Sequence, residues 1–169
     1  MDTQQHNPDH AVIARYTGQP PRLPVELRRD IEARWHGAPV QLYALADLDH
    51  AHRLTEVWVA LGAGHVAVAQ RAPTGWEIRS VERDRIEAVR EAPGLSASTL
   101  TLLGRAGDPP LAVLRYSHRQ RRAVENLKFV LEEALAGRTV TAADPDQEYA
   151  AGVARPTPTH RAWWRAPRA

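Results

Sequence analysis

Cysteine is absent from the 169 residues. That removes disulfide frameworks, thiolate metal sites and cysteine nucleophiles together, and leaves His, Asp and Glu as the remaining metal ligands. Lysine is nearly absent as well: Lys128 stands alone amid abundant arginine, alanine and proline. A GC-rich coding bias produces the same composition, so arginine enrichment by itself does not signal binding. No apolar run approaches bilayer length, and the N-terminus MDTQQHNPDH lacks the basic-then-apolar order of a signal peptide. The expectation is a soluble cytoplasmic protein with no transmembrane segment. Net charge is also scarce, since 22 basic residues against 20 acidic ones leave +2, which argues against nucleic acid as the partner. Catalytic signatures are missing: Ser80, Ser96, Ser98 and Ser117 lie outside any G-x-S-x-G, and no H-E-x-x-H occurs. The chain reads as a non-enzymatic protein that needs no cofactor.

What is present suffices for one core, because 43% of the residues are apolar. Residues 1–22 are polar and broken by Pro8, Pro20 and Pro21, the pattern of an N-terminal arm. A short helix is predicted next: Pro24 suits its first position, Leu27, Ile31 and Trp35 recur every four residues, and Gly37 provides a left-handed stop. Asp30 and Arg34 have the spacing to pair on its wet side.

From Val40 to Tyr116 the period drops to about two, with turn residues roughly every ten positions. QLYALA, LTEVWVAL, HVAVAQR, WEIRSV, RIEAVRE, STLTLLG and LAVLRY predict seven antiparallel strands. RQRRAVENLKFVLEEALAG then predicts an amphipathic helix. Ser117 and Gln120 form a capping box, Val124, Leu127, Leu131 and Leu135 draw the apolar stripe, and Gly137 ends it. Arg121 with Glu125, and Lys128 with Glu132, are spaced to pair on the opposite face. Residues 138–169 lose periodicity and read as a Pro/Ala/Arg linker and tail, with Trp163 and Trp164 between Arg161 and Arg165.

The predicted fold class is therefore α+β, mainly β: a bent antiparallel sheet of about seven strands capped by a C-terminal helix, with a short helix before the first strand. That is the layout of the pleckstrin-homology superfold, in which a one-sided helix plugs the open end of a bent sheet. Locally, LPVELRRDIEARWHGAPVQLYALADLD and LRYSHRQRRAVENLKFVLEEALAG resemble the PH-like domain at the N-terminus of certain bacterial ABC-type exporters. The resemblance spans Leu23 to Gly137, residues 23–137, and is carried best by the LRYS segment, Leu114 to Ser117, which ends the last strand and launches the helix. It implies a cytoplasmic domain at the inner face of the membrane that docks on a protein partner, a membrane-transporter component. The chain departs from the family at Leu61-Gly62-Ala63-Gly64-His65 and in lacking cysteine, and with no span or ATP-binding region after Ala169 it reads as a free-standing copy.

Three constellations remain. Asp47, Asp49, His50 and His52 in DLDHAH are weak candidate metal ligands, set against a solvated strand connection. The same acidic loop stands where eukaryotic members of the superfold carry phosphoinositide-gripping bases, so Asp47 and Asp49 argue against that ligand. Gly62 and Gly64 read as a hairpin needing positive φ rather than a phosphate cradle, since a strand follows. The basic run Arg115, His118, Arg119, Arg121 and Arg122 sits at a helix N-terminus, where it does not help the helix. Arg115, Arg119 and Arg122, with Arg161, Trp163, Trp164 and Arg165, are the expected partner-binding residues. Two alternatives are association of the Arg/Trp tail with anionic membrane or single-stranded nucleic acid, and small-molecule binding in the open end of the sheet.

Overall fold

The computed structural model describes residues 21–138; Arg161, Trp163, Trp164 and Arg165 lie outside them. The architecture is mainly β. Helix α1 (Val25–Arg34) precedes strands β1 (Leu42–Leu48), β2 (Leu54–Leu61), β3 (His65–Ala72), β4 (Gly75–Glu82), β5 (Ala88–Ala92), β6 (Ala97–Leu103) and β7 (Ala112–Ser117), and helix α2 (Arg121–Leu135) follows. A single turn of 3-10 helix, Arg83–Arg85, separates β4 from β5.

All seven strands form one antiparallel sheet in the order β4-β3-β2-β1-β7-β6-β5. The first strand is thus central. It joins two local meanders, β1 to β4 and β5 to β7, and meets β7 with Leu48 opposite Arg115. The sheet curls enough for the Arg79 guanidinium on β4 to donate to the Leu111 carbonyl beside β7, at 2.7 Å.

Alternation along each strand sorts the apolar residues into two clusters. Leu42, Ala44 and Ala46 of β1 point inward with Val59, Leu61, Leu100, Leu102, Leu114 and Tyr116, and α2 closes this side with Val124, Leu127, Val130 and Leu131. Tyr43 and Leu45 point outward with Trp58, Ala60, Ala67 and Ala69, and there α1 covers them with Leu23, Leu27, Ile31 and Trp35. Six consecutive β1 residues are therefore buried, although period-two strands expose one face by default. Leu27 and Ile31 are fully enclosed; at roughly 1.5–3 kcal/mol for each such side chain, the short helix is held by its packing rather than by its length.

Several local expectations change. Pro24 is the residue before the helix, with ψ of 136°, and its carbonyl accepts the opening bond from Arg28 N–H. Asp30 lies 3.8 Å from Arg29, while Arg28 pairs with Glu32. Gly37 does take the left-handed conformation, at φ 87°. Gly62 and Gly64 do not. Gly62 is needed for space instead: a Cβ there would stand 2.8 Å from the Trp35 ring, whose Nε1 donates to Ser80 Oγ at 2.8 Å. The hairpin around these glycines is gripped by Arg83, which donates to the Gly62 and Ala63 carbonyls at 3.2 and 2.9 Å.

Candidate interaction surface

Where β1 crosses β7, three connections meet: the β1–β2 loop, the β5–β6 loop and the junction between β7 and α2. The pairing of β1 with β2 shifts register between Ala46 and Leu48, a bulge that places Asp47 at the crossing. Asp47 is only 2% exposed. Its carboxylate accepts from Ser117 N–H at 2.7 Å and from Ser117 Oγ at 2.6 Å. Ser117 is thereby drawn away from the helix. The expected capping box is not made: the residue before α2 is Gln120, buried, with no side-chain bond to the helix end.

Asp49 organises the β1–β2 loop. Its carboxylate accepts from the N–H groups of Ala51 and Arg53, at 2.7 and 2.9 Å, and pairs with the Arg53 guanidinium at 2.8 Å. The Arg53 N–H first, then the Arg53 side chain and Ala51 N–H, hold the carboxyl below the ordinary aspartate range. His52 turns the loop in the left-handed conformation, φ 58°, and the His50 carbonyl receives the Arg115 guanidinium. Of the four residues considered as metal ligands, Asp47 is committed to Ser117 and Asp49 to its own loop. Among the described residues no three His, Asp or Glu side chains gather as ligands for an ion. In this loop the Asp49 charge is offset by Arg53, while Asp47 meets only the neutral Ser117.

The β5–β6 loop contributes what the sequence reading passed over. Leu95 is fully exposed, at 102%. His118 Nε2 donates to its carbonyl, and the chain at Gly94 leaves so little room that a Cβ there would lie 2.1 Å from the Ala97 carbonyl oxygen. The available signal was a leucine inside a Pro-Gly turn. Next to His118 in sequence, Arg119 is exposed, as is Arg122 at the start of α2, and neither makes an ion pair among the described residues. Arg121, by contrast, is tied to Glu125 at 2.7 Å, which raises its pKa. The His118 bond ties Leu95 to the β7–α2 junction that also carries Arg119 and Arg122, while Arg115 reaches the His50 carbonyl of the β1–β2 loop.

A second polar constellation lies inside the rim of α2. Glu91 on β5 accepts from Tyr116 Oη and from Lys128 Nζ, each at 2.7 Å. The lysine's bond, then the tyrosine's, hold the Glu91 carboxyl below the ordinary range; Lys128 is shifted up chiefly by its bond to Glu91. Burial first, then the bond to Glu91, pushes the Tyr116 phenol well above its usual value. Lys128 thus uses Glu91 in preference to the expected Glu132, which is 3.8 Å away. The Ser80 hydroxyl accepts from Trp35 Nε1, and the Ser117 hydroxyl donates to the buried Asp47 carboxylate.

No helix among the described residues is long and apolar enough to cross a membrane. Compared with protein-family models, with curated proteins and with solved structures, the chain matches none.

Proposed function

We propose that this protein is a non-enzymatic interaction module of the PH-like kind that docks on a protein partner through the β1–β7 corner. The observation that carries the reading is Leu95: an apolar side chain presented entirely to water on a loop whose carbonyl is bound by His118. Exposed leucines are ordinary, but one whose carbonyl is bound by His118, at the junction that carries the exposed Arg119 and Arg122, has the composition of a small anchor with a charged rim. The matching site is an apolar pocket edged with carboxylates. The resemblance to exporter N-terminal domains supports a membrane-associated or ABC-type assembly as the bearer of that pocket.

The test is affinity capture from the native host with the full chain, a Leu95→Asp variant and a chain lacking residues 155–169. Loss of the captured partner with Leu95→Asp, at an unchanged melting temperature, is the expected result. Identical capture by Leu95→Asp but not by the shortened chain moves the docking element to the tail. A large fall in melting temperature for Leu95→Asp assigns the leucine a packing role and ends the reading.

A further inference from the structure

Ser117 is open to two competing uses. Its spacing to Gln120 is that of a capping box, in which the serine Oγ accepts from the N–H three residues on and the glutamine side chain reaches back to the serine N–H. In the structure both serine groups are held elsewhere: the Ser117 N–H and Oγ–H donate to the Asp47 carboxylate, at 2.7 and 2.6 Å. Gln120 is left buried, with no side-chain bond to the helix end.

The backbone of the junction shows the consequence. Between β7 and α2 the chain makes one tight turn, in which Gln120 N–H donates to the Ser117 carbonyl at 3.0 Å and Arg121 N–H to the His118 carbonyl at 3.3 Å, each three residues back rather than four. Four-residue bonds begin with Val124, which donates to the Gln120 carbonyl at 3.1 Å, so the N–H groups of Arg122 and Ala123 have no backbone acceptor. A helix that starts directly after Ser117 gives them the carbonyls of His118 and Arg119. What separates the two arrangements is Asp47, a buried carboxylate whose bonds go to Ser117.

We propose that the β7–α2 junction is a two-state latch closed by Asp47. Closed, it is the observed turn, which presents His118 Nε2 to the Leu95 carbonyl. Open, Ser117 and Gln120 complete the capping box, α2 adds His118, Arg119 and Gln120 to its 15 residues, and the rotation of His118 into the helix ends its bond to Leu95. Asp47 is thus a positioning residue for the docking corner, acting on Leu95 through Ser117 and His118. A partner that takes Leu95 in its tied form favours the closed state, because it binds that state better. The effect on docking rests on the reading of Leu95 above; the latch itself does not.

Amide hydrogen exchange of the full chain, read by NMR, tests the latch. In the native chain the Arg122 and Ala123 amides should exchange at nearly the unprotected rate. Asp47→Ala should slow both by about tenfold, and adding Ser117→Ala, which removes the cap, should return them to the native rate. Asp47→Asn keeps the shape of the side chain and the acceptor for Ser117 N–H, and serves if the alanine variant does not fold; it should slow the same amides by a smaller factor. Amides already protected in the native chain, amides unchanged in a folded Asp47 variant, or protection that survives Ser117→Ala overturns the proposal. Leu95→Asp should leave both amides at the native rate. Slowed amides in the Asp47 variants together with full capture by Leu95→Asp keep the latch and end the docking reading; unchanged amides together with capture lost in Leu95→Asp do the reverse.

Discussion

The two halves of the sheet share their strand type, their inner core and their helix α2, yet differ on the outside. Over β1 to β4 the outer face carries Tyr43, Leu45, Trp58 and small alanines, and α1 seals it with Leu23, Leu27, Ile31 and Trp35. Over β5 to β7 the same face carries threonines, Val113 and two arginines, and no helix covers it among the described residues. A large aromatic exposed on a sheet face demands a cover, whereas threonine tolerates water; the residues on each half therefore anticipate whether a helix is laid over them. The difference separates a face sealed by a helix from one that, among the described residues, meets water.

The largest test of this contrast is Trp35→Ala. It empties the seam between α1 and Gly62 and leaves Ser80 without its donor, so stability should fall by about 3–5 kcal/mol in urea unfolding. A loss near zero would mean that α1 is a passenger and that the halves are not distinct.

A middle-sized effect is expected where α2 is tied to the bare half. Glu91→Gln removes the charge shared with Lys128 and weakens the bond from Tyr116; for a partly buried, charge-assisted pair the cost is about 1–2 kcal/mol at neutral pH. The pH dependence has a defined sign. Glu91 has its pKa lowered in the fold, so its stabilisation is present above the unfolded carboxylate range and is lost as pH falls through the depressed value. Lys128 and Tyr116 are raised, so their contribution holds below the unfolded lysine and tyrosine ranges and is lost as pH climbs through the folded values. Melting temperatures across pH should show both losses in the native chain and a flatter profile in Glu91→Gln. Equal curvature in the two would place the titration elsewhere.

The smallest effect should come from the uncovered face itself. Val113→Thr changes a residue that is already more than half exposed, and unfolding free energy should move by no more than about 0.5 kcal/mol. A loss several times larger would show that this half is covered after all.

Much of the fold was legible in the sequence because its signals are local. Turn residues and alternation found all seven strands, and the stripe Val124, Leu127, Leu131 found α2, although Leu135 ends up 41% exposed beyond the edge of the sheet. The errors arise where a distant residue claims a group that also has a local use. Ser117 looked like a cap until Asp47, 70 positions earlier, took its hydroxyl; Lys128 keeps the expected pair with Glu132 at 3.8 Å, but its shorter bond, to Glu91 37 positions away, is one that no local spacing announces. Gly62 looked like a turn residue, and only the position of Trp35 shows why a side chain is excluded there. At the candidate site the basic residues Arg115, Arg119 and Arg122 were visible as a run. Leu95 was not, because neither composition nor period distinguishes a leucine lost in a turn from one held out of it.

The central position of β1 also sets an order in time. As the chain emerges, α1 and the β1–β4 meander can pair through neighbours in sequence and close their outer core early. The inward face of β1 and the Asp47 carboxylate must wait for β7 and α2, whose contacts with them span some 70 residues. A nascent chain halted before Ala112 would therefore hold a sealed outer side and an open inner one, a half-built sheet whose exposed Leu42, Ala44 and Val59 are a temporary liability for a chaperone to cover.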